Sequence, residues 1–76
     1  MPYIDKKRRT LPNAKMVGDL NFIITGWCLK YLPAEPRYAD YNAVIGVLEC
    51  AKLEMYRRMV APYEDKKRKE NGDVYR

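Results

Sequence analysis

The stretch from Tyr41 to Ala61 constrains the fold most, because it contains no proline and repeats apolar residues at helical spacing. With residues placed about 100° apart, one group of apolar side chains forms what we call the first stripe. The first stripe consists of Tyr41, Val44, Ile45, Leu48, Ala51, Met55 and Met59. The second stripe, on another face, consists of Leu53, Tyr56 and Val60 with the small residues Gly46 and Cys50 beside them. A helix with two apolar faces needs cover on both.

A shorter helix is predicted at residues 19–32, where apolar residues recur at steps of three and four. Gly18 and Asp19 offer an N-cap for it. The β-branched residues around Ile23 make a strand the alternative, and the length of the periodic segment favours a helix. Two prolines within four residues then predict a stiff extended connector.

The long helix is predicted at residues 40–61, opened by Asp40 or Tyr41. Pro62 has no backbone N–H, so it either kinks this helix or begins a new one. A short basic helix is predicted at residues 62–71, because its acidic residues come first and its lysines follow, as the helix dipole favours. Gly72 ends this helix, since glycine can adopt the left-handed conformation, and a tail covers residues 72–76.

These elements predict a single all-α domain, a small helical hairpin or bundle of two main helices with short terminal helices. Residues 1–13 form an N-terminal arm or a short helix. One main helix can cover only one face of the other, so we expect homo-oligomerisation to cover the second stripe. The alternative is that the N-terminal arm and the C-terminal segment cover that stripe within one chain. The oligomer interface is expected at Leu53, Tyr56, Val60, Cys50 and Gly46.

The composition argues against catalysis and metal binding. A chain of 76 residues holds one small core with little margin of stability. It has no histidine, the commonest general base and metal ligand, and only two cysteines. We expect no enzyme activity, no metal and no cofactor. Cys28 and Cys50 are expected to be buried, reduced thiols, with a disulfide as the alternative. No apolar run is long enough to span a bilayer, and no signal-peptide core follows the N-terminus, so a cytoplasmic location is expected.

The second half of the sequence contains the segments "IGVLEC", "KLE-YRR", "APYEDKK" and "ENGDVY". With Leu20-Asn21 and Ile24-Thr25 upstream, it resembles a family of small uncharacterised proteins of tailed bacteriophages and prophages. The similarity covers roughly residues 20–75. It implies a viral origin and, since that family has no known activity, no mechanism.

Basic residues and tyrosines suggest a binding surface for an anion, because the formal net charge is +5. Guanidinium and ammonium groups bind phosphate, and tyrosine rings stack on bases. The candidate ligand-binding residues are Arg57, Arg58, Lys66, Lys67, Tyr56 and Tyr63. The alternatives are that the charges form solvated helix faces and that the tyrosines pack in a core or an interface.

The leading functional hypothesis is a non-enzymatic phage accessory protein. It would act as a homo-oligomer in the host cytoplasm and sequester a small anionic, nucleotide-type immune signal at its subunit junctions. The first alternative is a helical adaptor or inhibitor that binds a host or viral protein. The second is a nucleic-acid-binding protein that uses the basic residues 6–9 with the C-terminal basic helix.

Overall fold

The structure, a computed structural model, describes residues 2–10 and 14–75. A 3-10 turn at Arg8–Thr10 is followed by α1 (Val17–Tyr31), α2 (Tyr38–Met55), a π-helical segment (Tyr56–Val60) and α3 (Ala61–Asn71). The described residues contain no strand, so the predicted all-α class is confirmed, as is the helix in place of a strand around Ile23. Part of the predicted arm at residues 1–13, namely Met1 and residues 11–13, lies outside the described residues, as does Arg76 of the predicted tail.

The chain divides into two units, Met1–Tyr41 and Asn42–Arg76. Among the described residues, neither unit has a buried apolar side chain, and the one buried residue is Asp19. The expected burial of the cysteines is wrong for a single chain: Cys50 is exposed and Cys28 is half-buried, and both are free thiols. The organisation into a single domain stays a prediction.

In the first turn of each main helix, an aspartate accepts a hydrogen bond from the backbone N–H of the residue just before the helix. Oδ2 of Asp19 accepts the N–H of Met16 at 3.1 Å, and Oδ2 of Asp40 accepts the N–H of Arg37 at 2.9 Å. Each aspartate is therefore the third residue of its helix, where it forms half of a capping box. Asp19 is thus not the N-cap, and Asp40 does not open α2. This is why α1 and α2 each begin two residues earlier than expected.

In the first unit, Asp19 also holds the N-terminal turn against α1. Its Oδ2 lies 2.5 Å from the Arg8 guanidinium and accepts the backbone N–H of Lys15 at 3.0 Å. The side chain of Asp19 is 3% exposed, and its Oδ1 has no hydrogen-bond partner among the described residues. Through these three contacts, one oxygen in the first turn of α1 binds both the N-terminal turn, at Arg8, and the two residues just before the helix, Lys15 and Met16.

The neighbouring Arg9 adds a second contact between the N-terminal turn and α1. Its guanidinium lies 5.6 Å from the centre of the Phe22 ring, within the range of a cation–π interaction. Its Nε donates a hydrogen bond to the Ile4 carbonyl at 3.0 Å. Arg8 and Arg9 thus serve the packing of the first unit, which weakens the prediction that residues 6–9 bind nucleic acid.

Pro62 accounts for the π-helical segment that separates α2 from α3. In a regular α-helix, the ring of Pro62 would clash with the carbonyl of Arg58, and no N–H would be available to bond it. The wider turn moves the bonding to i→i+5 spacing, with the N–H of Ala61 donating to the carbonyl of Tyr56. Pro62 becomes the second residue of α3. The predicted continuous helix at residues 40–61 is therefore α2 followed by a π-helical segment. The two stripes were assigned with the angular spacing of an α-helix, so their positions apply only as far as Met55.

The C-terminal end of α3 is confirmed at Gly72. The N–H of Gly72 donates to the carbonyl of Arg68 at 2.9 Å and closes the last turn. Its φ is +90°, a value that side-chain-bearing residues rarely adopt, so glycine is needed there. Val74 and Tyr75 of the following tail are exposed.

We expect the stability of the first unit to depend on the ionisation of Asp19. The hydrogen bond from Arg8 lowers the pKa of Asp19, and the backbone N–H groups of Lys15 and Met16 act in the same direction against the opposing effect of burial. Because the folded-state pKa is lowered, the stabilisation is present above the unfolded value of about 4 and is lost as the pH falls through the folded pKa. Thermal unfolding followed by circular dichroism from about pH 2 to about pH 7 measures this loss. Asp19→Asn should lower the midpoint at neutral pH and remove much of the pH dependence, whereas Glu35→Gln, on the exposed connector, should change neither.

Candidate functional site

The six candidate ligand-binding residues lie on two consecutive segments of the second unit. Tyr56, Arg57 and Arg58 belong to the π-helical segment, and Tyr63, Lys66 and Lys67 belong to α3. All six side chains are exposed. The π-helical turn between them determines which of these side chains meet, and a regular helix would have paired them differently.

Arg57 and Arg58 are held by one carboxylate at the end of α2. The guanidinium of Arg57 lies 3.0 Å from Glu54, and that of Arg58 lies 3.8 Å from the other oxygen of the same group. Glu54 precedes Arg57 and Arg58 by three and four residues, the spacing at which ion pairs form along a helix. Two cations that share one anion leave an excess of one positive charge at this point of the surface.

On α3, two of the four basic residues have a carboxylate partner one turn away. Nζ of Lys67 lies 3.2 Å from Glu70 and 5.7 Å from the centre of the Tyr63 ring. Arg68 lies 3.6 Å from Asp65. Residue spacing also allows i, i+4 pairs here, from Glu64 to Arg68 and from Asp65 to Lys69, but the pairs that form have i, i+3 spacing. Among the described residues, no carboxylate lies within ion-pair distance of Lys66.

Glu64 does not pair with Arg68 and binds Tyr56 instead. The hydroxyl of Tyr56 donates a hydrogen bond to Oε1 of Glu64, eight residues further on. This hydrogen bond raises the pKa of Tyr56, and the negative charge of Glu64 raises it further. Tyr56 therefore stays neutral over the physiological range and links the π-helical segment to α3. No pattern of residue spacing predicts this contact, and Pro62 was the one available sign that the turn would be irregular.

The same contact forms one wall of an open depression of about 460 Å³. Two of the six candidate residues, Tyr56 and Lys67, line it. The remaining lining residues were not among the candidates predicted from the sequence; they are Glu64, Asp65, Arg68, Gly72, Asp73, Val74 and Tyr75. Three carboxylates and two cations give the depression a slight excess of negative charge. Its charges therefore do not favour a phosphate group at this depression, and the anion site at the six candidate residues stays a prediction.

The residues of the expected oligomer interface are open to solvent in a single chain. Leu53 is 56% exposed, Tyr56 49% and Val60 38%. Gly46 and Cys50 are exposed as well, and a Cβ added at Gly46 would meet no atom within 4 Å. Within the second unit, the C-terminal segment therefore does not cover these side chains. This differs from the alternative in which that segment helps to cover the second stripe within one chain.

Two further features bear on the classes of function. In residues 2–10 and 14–75, no three histidine, cysteine, aspartate or glutamate residues are grouped so that they could hold a metal ion. Over the same residues, no helix has both the length and the apolar character required to cross a membrane.

Residues 1–74 match the profile of a protein family described as Domain of unknown function (DUF6899), and the chain therefore belongs to this family. No curated protein was found to match the chain, and neither was any solved structure.

We expect Glu64→Gln to return the pKa of Tyr56 toward its ordinary value of about 10. The carboxylate of Glu64 stabilises the protonated phenol by accepting its hydrogen bond and repels the negative charge of the phenolate. A neutral amide accepts the hydrogen bond more weakly and carries no charge that repels the phenolate. Titration of tyrosine Cζ resonances by NMR measures this, with Tyr56→Phe to assign the signal. Glu49→Gln makes the same chemical change on α2, where Glu49 pairs with Lys52, and should leave Tyr56 unchanged. An unaltered Tyr56 titration in Glu64→Gln would contradict the contact.

Proposed function

We propose that this DUF6899 protein is a non-enzymatic interaction protein that works as a homo-oligomer, with the α2 and π-helical surfaces of several copies packed together. A viral accessory role and a location inside the host cell belong to the same proposal. The resemblance of the second half to phage proteins supports the first, and the free thiols of Cys28 and Cys50 support the second.

The exposure of the second stripe carries this proposal. Leu53 lies on α2 and Tyr56 and Val60 lie on the π-helical segment that follows it, and each leaves more than a third of its surface in water. Burying a leucine or valine side chain stabilises a protein by about 1.5–3 kcal/mol, so exposed side chains of this kind favour association. The first stripe is exposed too, since Ile45 and Met55 are each 62% accessible.

We expect the purified protein to have a mass in solution above 9.0 kDa, which multi-angle light scattering over a range of concentrations measures. Leu53→Lys should weaken association by roughly tenfold to a hundredfold, because it replaces a buried apolar contact with a desolvated charge. Ala34→Lys adds the same charge on the exposed connector and should leave the mass unchanged. A monomer at every concentration would contradict the proposal and would favour an adaptor that binds a different protein.

A second candidate function is the binding of a small anion of nucleotide type at the junctions between copies. The specific observation in its favour is the excess positive charge where Arg57 and Arg58 share Glu54. A phosphate group could take the guanidinium donors that one carboxylate leaves unused. The slightly acidic depression beside Tyr56 would then lie next to the ligand and would not hold its phosphate.

Calorimetry with cyclic dinucleotides, cyclic trinucleotides and ADP-ribose derivatives tests this second function. If one of them binds, the double variant Arg57→Gln with Arg58→Gln should weaken it at least about tenfold, since charged hydrogen bonds contribute about 1.5–3 kcal/mol each. Lys30→Gln, in the first unit, removes a charge elsewhere and should bind normally. The absence of heat with every compound, from a protein that remains folded and associated, would exclude this function and leave the assembly intact.

A further inference from the structure

The first stripe of α2 offers a second surface for association that the expected interface does not use. Ile45 and Met55 are its most exposed members on α2, and Tyr41 and Leu48 are exposed between and beside them. The proposed interface at the second stripe lies on another face of the same helix. An assembly that covered only the second stripe would leave the first in contact with water.

A shallow apolar depression interrupts the first stripe near the end of α2. It has a volume of about 340 Å³ and is lined by Ala51, Met55 and Met59 together with Glu54 and Arg58. Methionine side chains adapt to the shape of an apolar partner. A depression of this kind fits an aliphatic side chain that projects from a neighbouring helix.

The order of charges along the helix indicates in which direction the partner runs. Residues 38–51 contain Asp40 and Glu49 and no basic residue. Residues 52–60 contain Lys52, Arg57 and Arg58 and a single acid, Glu54. A parallel copy in register would place like charges together, whereas an antiparallel copy places the acidic half of one helix against the basic half of the other.

We infer that the partner on the first stripe is a second copy of this chain, packed antiparallel, with the Ile45 side chain of each copy entering the depression beside Met55 of the other. The equal spacing of residues 45 and 55 from residue 50 makes the contact reciprocal, as a two-fold axis requires. The same axis brings the Asp40 end of each helix to the Arg58 end of the other. This inference rests on the proposed function, since it names the partner and the orientation for one of the two surfaces.

Cysteine cross-linking distinguishes the two orientations. In a background of Cys28→Ser and Cys50→Ser, three proteins are compared: Ile45→Cys, Met55→Cys and the variant with both changes. A short bismaleimide is added at a concentration where light scattering shows association. In the antiparallel arrangement, two copies of residue 45 are ten residues apart along the axis, about 15 Å, so each single variant should remain uncross-linked. The double variant should form covalent dimers, because residue 45 of each copy faces residue 55 of the other.

A charge-pair experiment tests the same contact without cysteines. Ile45→Glu and Met55→Lys should each weaken association at least about tenfold. Together they should restore it, since the carboxylate introduced at position 45 of one copy would face the ammonium group introduced at position 55 of the other. In a parallel arrangement the two changes would place like charges together and association would stay weak. Both positions are exposed in a single chain, so its helix content, followed by circular dichroism, should not change.

The outcomes separate this inference from the proposed function. Cross-linking of either single variant, or failure of the double variant to cross-link while the parent protein is oligomeric, overturns the antiparallel contact and leaves the proposed function standing. A monomeric parent protein overturns both. Cross-linking of the double variant alone, together with restored association in the charge-pair variant, establishes the arrangement.

Discussion

The hydrophobic effect on α2 is the interaction on which the rest of this structure depends. In a single chain the apolar side chains of both stripes remain in contact with water, and among the described residues only Asp19 is buried. A helix with the composition of α2 gains little from its intrinsic propensity alone, because most helical stability in proteins comes from packing an apolar face. In the proposed assembly, association therefore serves two purposes: it covers the apolar surface, and it creates the junctions at which any ligand would bind.

Polar contacts have a complementary task, which is to set where each helix begins and how the segments connect. Asp19 collects three donors on one oxygen and thereby ties the N-terminal turn to α1. Tyr56 and Glu64 link the π-helical segment to α3. Several of the remaining charges form ion pairs on the exposed helix surface, where each contributes little to stability. Their arrangement matters more for the choice and orientation of a partner than for the fold of one copy.

Much of the secondary structure followed from residue patterns, and the departures have identifiable causes. The spacing of apolar residues located both main helices, and Gly72 located the end of α3. Asp19 and Asp40 were assigned to the very start of their helices, whereas each is the third helical residue, because a carboxylate can serve either as the N-cap or as the distal half of a capping box. The pairing of Glu64 could not be foreseen, since it depends on the wider turn that Pro62 imposes.

The sequence by itself determined that this chain is helical, that α2 is apolar on two faces and that cations cluster near Pro62. These properties depend on residues a few positions apart, whose spacing in a helix is set by its geometry. Only the tertiary structure decided that the apolar faces stay exposed in one copy, that Arg8 and Arg9 pack against α1, and that Tyr56 binds Glu64. Each of these depends on where segments lie in space, and local periodicity contains no information about that.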